Sequence, residues 1–211
     1  MARLNKLGSI PRCPIGDTMK DVYDSLYSED RYAGIINHKQ ANWLLKRPLA
    51  GIKTAVDFGC GPGHTVKKLR AHGIDTTGVD FSTTLKERFW SGDDKFIQGD
   101  ITSTDLDDTF DLVVCHDVLE HLAEEDATKA LDTLAKHTNG FVSLVIANHS
   151  DVWLGKELHI NNQPYDWWKN LVEERWEILE SQSPSGRDFP GSSFPKNQQG
   201  ILHLFWCKKK D

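Results

Sequence analysis

Between residues 54 and 147 short strand-like runs alternate with stretches of helical spacing. Thr54–Phe58 is a short apolar run leading into glycines, and His64–His72 has helical spacing with Gly73 as its stop. Thr76–Val79 is a second strand, after which Ser82 is placed to cap a helix reaching Trp90. Lys95–Gln98 is a third strand. Phe110–Cys115, apolar almost throughout, reads as a fourth strand buried on both faces. Glu124–His137 is helical and Gly140–Ala147 is a fifth strand. A β-α-β-α order of this kind specifies a parallel sheet with right-handed crossovers.

The flanks follow other rules. Residues 1–16 carry Pro11 and Pro14 and read as a lead-in. From Asp17 to Lys46 apolar residues recur at helical spacing with a break at Ser28–Asp30, which predicts two short helices ending before Pro48. Residues 1–50 are therefore expected to be a lead-in and helical lid, and 51–211 one compact domain. After Asn148 come a polar loop, a Trp-rich helix from Pro164 to Glu173, the segment Trp176–Ser181, a turn-rich stretch from Pro184 to Gln199 and an apolar strand, Ile201–Cys207. This arrangement fits a hairpin that adds an antiparallel edge to the sheet.

Composition narrows the class. Of 211 residues 38% are hydrophobic and 27% charged, enough apolar matter for a real core, which excludes global disorder. The longest apolar window, Phe141–Ala147, is strand-sized, so no membrane span is expected, and the N-terminus lacks the apolar stretch of a signal peptide. Cys13, Cys60, Cys115 and Cys207 form no CxxC pair, which argues against a zinc ribbon or disulfide framework and for the cytoplasm. A net charge of −6 argues against nucleic-acid phosphate as the main partner. Oligomeric state is not legible.

The chemistry gathers at strand ends. Val56-Asp57-Phe58-Gly59-Cys60-Gly61-Pro62-Gly63 follows a strand and opens a helix, and its glycines allow a tight turn and close approach to a ligand. His64 stands where a dinucleotide fingerprint would want a small residue, and Asp57 at the loop mouth suits a cationic group better than a pyrophosphate. Asp80 ends the second strand, placed to accept ribose hydroxyls with Phe81 against a base. Asp100, with Ile101, ends the third, where an adenine amino group could donate to it.

With VDFGCGPG, GVDFS, QGDI and FDLVVCHDVLEHL in this order, the chain resembles the class I S-adenosylmethionine-dependent methyltransferases, closely over residues 53–150. The resemblance implies an α/β fold: a doubly wound, Rossmann-like, mostly parallel sheet of seven strands with an antiparallel C-terminal strand. It implies S-adenosylmethionine as cofactor, with Asp57, Gly59, Cys60, Gly61 and Gly63 at its methionine part, Asp80 and Phe81 at the ribose, and Asp100 and Ile101 at the adenine. Cys115 and His116 are expected to flank it. The expected activity is methyl transfer to an oxygen or nitrogen of a small-molecule acceptor. A macromolecular acceptor (RNA, glycan or protein) and a non-catalytic cofactor-binding module are the alternatives.

Two histidines are candidate bases: His149, directly after the fifth strand, and His121. His159 reads equally as a solvated loop residue. If residues 117–121 are helical, Asp117, Glu120 and His121 fall on one face, where two carboxylates and an imidazole could hold a divalent metal. The element is similar to the E-x-x-E-H of metal-dependent members of the family, with Asp for the first Glu. A metal is the lesser reading, the alternative being a turn that orients the loop over the cofactor. Tyr23 and Tyr27 are expected on the lid, with core packing favoured for Tyr27, and Trp153 is a candidate for substrate contact.

Overall fold

The computed structural model describes residues 18–30, 38–153, 155–183 and 201–211. The lead-in, Tyr32, Ile35, Ile36, Cys13 and the turn-rich stretch 184–200 lie outside the described residues.

Among the described residues, two helices precede the sheet: α1 (Met19–Ser28) and α2 (His38–Leu44). Thr18 starts α1 with a reciprocal cap: its hydroxyl accepts from the Asp21 N–H while the Asp21 carboxylate accepts from the Thr18 N–H. Then follow β1 (Thr54–Phe58), α3 (His64–Ala71), β2 (Asp75–Asp80), α4 (Thr83–Phe89), β3 (Phe96–Gln98) and β4 (Phe110–His116). A single 3₁₀ turn (Leu119–His121), α5 (Glu124–His137) and β5 (Thr138–Asn148) complete the alternating part. The C-terminal part holds a two-stranded ribbon, β6 (Val152–Trp153) and β7 (Lys156–Glu157), then α6 (Tyr165–Arg175), β8 (Trp176–Gln182) and β9 (Ile201–Lys209).

Seven strands form one sheet in the order β3-β2-β1-β4-β5-β9-β8. The first five pair in parallel, and β9 runs antiparallel to both β5 and β8. The hairpin thus adds the expected antiparallel edge, with its C-terminal strand β9 next to β5 and β8 outermost. Burial explains the order, since Leu204, Phe205 and Cys207 of β9 are fully buried whereas β8 alternates with exposed glutamates. The ribbon stands in the stretch expected to be a polar loop. Gly155, at φ +77°, sits at its turn, and Leu158 N–H donating to the Asp151 carbonyl at 2.8 Å closes it.

Alternate residues of the central strands serve opposite faces. Val56, Phe58, Val113 and Leu144 pack with Ala127, Leu131 and Leu134 of α5 and with Trp168 of α6. Ala55, Leu112, Val114 and Val145 pack with Trp43 and Leu44 of α2 and Leu69 of α3. Of the α6 tryptophans, Trp168 is fully buried and Trp167 lies edge-on beside it. Chain order reverses between β1 and β4, which leaves a crevice at the carboxyl ends of these strands, the position where open α/β sheets bind ligands. Among the described residues no helix is long and apolar enough to cross a membrane.

Candidate active site

Two adjoining cavities, of about 390 and 290 Å³, open over this crevice and share Tyr23, Tyr27, Gly59, Asp117 and His121. The first runs past Asp80, Phe81, Asp100 and Ile101; the second past Asp57, Cys60, Gly61, His116, His149 and Trp153. Most residues singled out in the sequence thus come together. Gly63 lines neither cavity; it precedes α3 at φ +81°, where a Cβ would meet the Trp90 ring at 2.6 Å. Cys115 does not flank a cavity either: its side chain is fully buried in the core on the α5 side of the sheet. His116, next along the strand, points to the opposite face and lines the smaller cavity.

The glycine loop is held rigidly. Gly59 and Cys60 N–H groups both donate to the Val79 carbonyl, at 2.8 and 3.0 Å, and the Trp90 indole N–H donates to the Gly61 carbonyl at 2.8 Å. Gly59 lies at φ +74°, and a Cβ there would stand 2.2 Å from Val118 Cγ2. Asp80 receives the Gly61 N–H on Oδ2 and the Ser82 N–H on Oδ1, both at 3.0 Å. A carboxylate oxygen has two lone pairs, so each still has capacity for a ligand hydroxyl. Asp100 is exposed and its Oδ1 takes the N–H and hydroxyl of Thr102.

Electrostatically the site is poised for a cation. Asp57 and Asp80 are 4% and 5% exposed, and neither forms an ion pair with a described residue. Burial, together with repulsion from Asp80, raises Asp57 to about 8. Burial raises Asp80 to about 6 against the opposing backbone N–H bonds.

The D-x-x-E-H element is not a helix face. Asp117 takes φ +54°, in the left-handed region, and only Leu119–His121 form a 3₁₀ turn. Asp117 therefore leaves the expected donor set: its Oδ2 accepts from the Gln40 amide, and burial raises it to about 7. His159 takes its place. One ligand atom each from Glu120, His121 and His159 lies within 4.8 Å of the others. His159 is 6% exposed, not a solvated loop residue. Its Nδ1 lies 2.6 Å from the His149 carbonyl, and the Nδ1 of His121 lies 3.0 Å from the Leu158 carbonyl and 2.9 Å from the Tyr23 hydroxyl. A carbonyl only accepts, so the Nδ1 of His159 carries the proton and its Nε2 the lone pair, whereas His121 bonds the carbonyls of both Leu158 and Asp117. Burial, then the neighbouring His159, depresses His121 to about 3, and burial lowers His159, so both are neutral. Glu120 is fully buried; Oε1 accepts from the Ala147 N–H at 3.0 Å and Oε2 has no partner. The donor chemistry fits a divalent ion.

Sequence reasoning missed Gln40 and the partnership of His159 with Glu120 and His121. His159 lies 38 positions beyond His121 on a different element, and no local period links them.

Comparison with known proteins agrees with this fold. Residues 56–141 match the family model described as a methyltransferase domain. A ubiquinone biosynthesis O-methyltransferase of Stutzerimonas stutzeri is 26% identical over 110 residues, 48% of this chain and 47% of that protein. One of Pseudomonas paraeruginosa is 28% identical over 97 residues, 42% of each. The matched region thus spans about half the length of these curated relatives. Among solved structures, the N-methyltransferase NodS of Bradyrhizobium japonicum, in complex with S-adenosyl-L-homocysteine, superposes with a TM-score of 0.68 at 15% identity, over 92% of this chain and 100% of that one. The 1,6-didemethyltoxoflavin-N1-methyltransferase of Burkholderia thailandensis gives 0.65 at 15%, over 92% and 88%. Residues 56–141 are thus similar to a methyltransferase domain, and the sheet order above is shared with these solved structures at the level of fold.

Proposed function

We propose that this chain is an enzyme that transfers the methyl group of S-adenosylmethionine to an oxygen or nitrogen of a small-molecule acceptor. The observation that carries the reading is the pair of buried acids, Asp57 and Asp80, on either side of a glycine loop that has no room for a Cβ at Gly59. S-adenosylmethionine, when bound, supplies a methyl group already activated by its sulfonium.

The chain's own residues then have simple tasks. Asp57 and the loop Gly59–Gly61 receive the methionine end and its ammonium; Asp80 accepts ribose hydroxyls; Phe81, Asp100 and Ile101 border the adenine. Gly59, Asp117 and His121 border both cavities, so transfer is assigned to their junction, with the acceptor in the 290 Å³ cavity. Tyr23 and Tyr27 of α1 and Gln40 of α2 line its walls. Bringing the two reactants into line and excluding water is most of what the protein must supply. His149 and His121 are the candidate bases for an acceptor proton, and neutral imidazoles suit that role. Glu120, His121 and His159 would hold a divalent ion, which supplies charge to polarise an acceptor oxygen. The cavity size supports a small acceptor, and the three described cysteines, Cys60, Cys115 and Cys207, all free, support a cytoplasmic location.

Isothermal calorimetry with S-adenosylhomocysteine tests the reading, with NAD as the control. One-to-one binding of the former, weakened by Asp57→Asn, is expected; NAD binding in its place would discard it.

A further inference from the structure

The smaller cavity carries more acids than its cofactor needs. Asp57, Asp117 and Asp151 line it, and among the described residues no Lys or Arg does. Asp57 is matched by the cofactor's ammonium, which leaves Asp117 and Asp151 on the space assigned to the acceptor. Asp151 is close enough for its charge to act on Asp117. Like charges around one cavity repel, and a cation among them offsets the repulsion. The backbone sets Asp117 in place: φ is +54°, and its N–H donates to the Val145 carbonyl at 2.9 Å. Its Oδ2 accepts from the Gln40 amide, while its Oδ1 is buried with no partner among the described residues. Gln40, only 4% exposed, lines the same cavity. A carboxylate accepts, so Gln40 turns its Nε2 to Asp117, and its amide oxygen has no hydrogen bond among the described residues.

Resting on the methyltransferase reading, we propose that the acceptor is a small primary amine that enters as its ammonium, seated on Asp117 Oδ1 and the Gln40 amide oxygen with Asp151 as further counter-charge, and that its nitrogen takes the methyl group. Both seats accept and neither donates, which suits N–H groups and repels a carboxylate, phosphate or phenolate. The walls agree: Tyr23, Tyr27 and Trp153 line the same cavity, and aromatic ring faces attract cations. Asp117 borders both cavities, so the nitrogen it holds stands at the junction to which transfer is assigned. An ammonium has no lone pair, so one of its three N–H protons passes first to the His149 imidazole, which lines the cavity too. The two that remain stay on Asp117 and Gln40 and leave the freed pair for the methyl carbon. The N–C bond forms as the C–S bond breaks, and the C–S electron pair leaves with the sulfur of S-adenosylhomocysteine. The product departs as a methylated ammonium, and His149 returns its proton to water.

The test uses the full chain, stripped with chelator and saturated with S-adenosylhomocysteine, and three probes of matched shape: phenethylamine, phenethyl alcohol and phenylacetate. Calorimetry is expected to show the amine binding about tenfold or more tighter than either of the others. With S-adenosylmethionine instead, mass spectrometry is expected to find N-methylphenethylamine and no methylated alcohol. Asp117→Asn keeps the shape of the side chain, and Asn accepts a positive φ as readily as Asp. It and Gln40→Leu are expected to erase the amine's advantage, and Asp151→Asn to reduce it. Equal binding of the three probes, tighter binding of the alcohol or the acid, no binding of the amine, or an amine preference untouched by Asp117→Asn would overturn the proposal. An amine that binds and stays unmethylated would overturn nitrogen as the target. Should a variant misfold, seen as lost S-adenosylhomocysteine binding, the wild-type comparison of the three probes decides alone. Failure of the wild type to bind S-adenosylhomocysteine would instead strike the methyltransferase reading itself.

Discussion

The Gly61 N–H donates to Asp80 Oδ2 at 3.0 Å, so the carboxylate that ends β2 also holds the glycine loop that follows β1. The same carboxylate takes the Ser82 N–H, and Ser82 in turn caps α4 and bonds Asp24 of the lid helix at 2.5 Å. One acid thus joins loop, helix and lid around the larger cavity.

Asp80→Ala therefore removes a ligand contact and a brace together. It is expected to weaken S-adenosylhomocysteine by about 10–100-fold, in keeping with about 1.5–3 kcal/mol for charge-assisted hydrogen bonds. Calorimetry at pH 7.5 checks it, and affinity within threefold of wild type would remove Asp80 from the ribose role.

The raised acids set a pH response. A carboxyl raised to about 8 (Asp57) or 7 (Asp117) binds a proton more tightly folded than unfolded, so the stability it contributes is lost as pH rises from about 4 towards those values. His116 and His121, depressed to about 3, act oppositely, but only below about 6.5. Between pH 6.5 and 8 the acids alone remain. The apoprotein's melting temperature is expected to fall across that window, and a saturating cationic cofactor to flatten the fall by favouring ionised Asp57. Scanning fluorimetry with and without S-adenosylmethionine reads both curves; a rising apo curve would contradict the argument.

Gly59→Ala faces a φ of +74° and a Cβ 2.2 Å from Val118 Cγ2, whereas Gly92→Ala has a similar φ of +78° and nothing within 4 Å. The expected costs are about 3 kcal/mol or more for Gly59→Ala, and about 1 kcal/mol for Gly92→Ala. Adding Val118→Ala is expected to recover part of the first and none of the second. Urea titration measures all of these.

His149 lines the acceptor cavity at the end of β5, and no cofactor contact is assigned to it. His149→Ala is expected to leave S-adenosylhomocysteine affinity unchanged and to lower turnover by about a hundredfold or more if it removes the acceptor proton. Unchanged turnover on an established acceptor would pass the role to His121.

The legible part of this molecule is the part governed by local periods. Helix α5 spans the predicted Glu124–His137, and Asp57, Asp80 and Asp100 stand at the ends of β1, β2 and β3 as their positions after apolar runs indicate. Less legible was the order of the hairpin strands, because β8 and β9 both read as strands and only the fuller burial of β9 places it beside β5.

What the sequence by itself determined is the sheet, its crossovers and the acids at its carboxyl edge, since alternation and helical spacing act over a few residues at a time. The tertiary structure alone decided which groups meet there. It turned Cys115 into the core and His116 into a cavity, because neighbours on a strand face opposite ways. It set Asp117 apart at a positive φ and brought His159 across 38 positions to Glu120 and His121. Such a meeting depends on where a ribbon outside the main sheet folds back, and no periodicity within either segment encodes it.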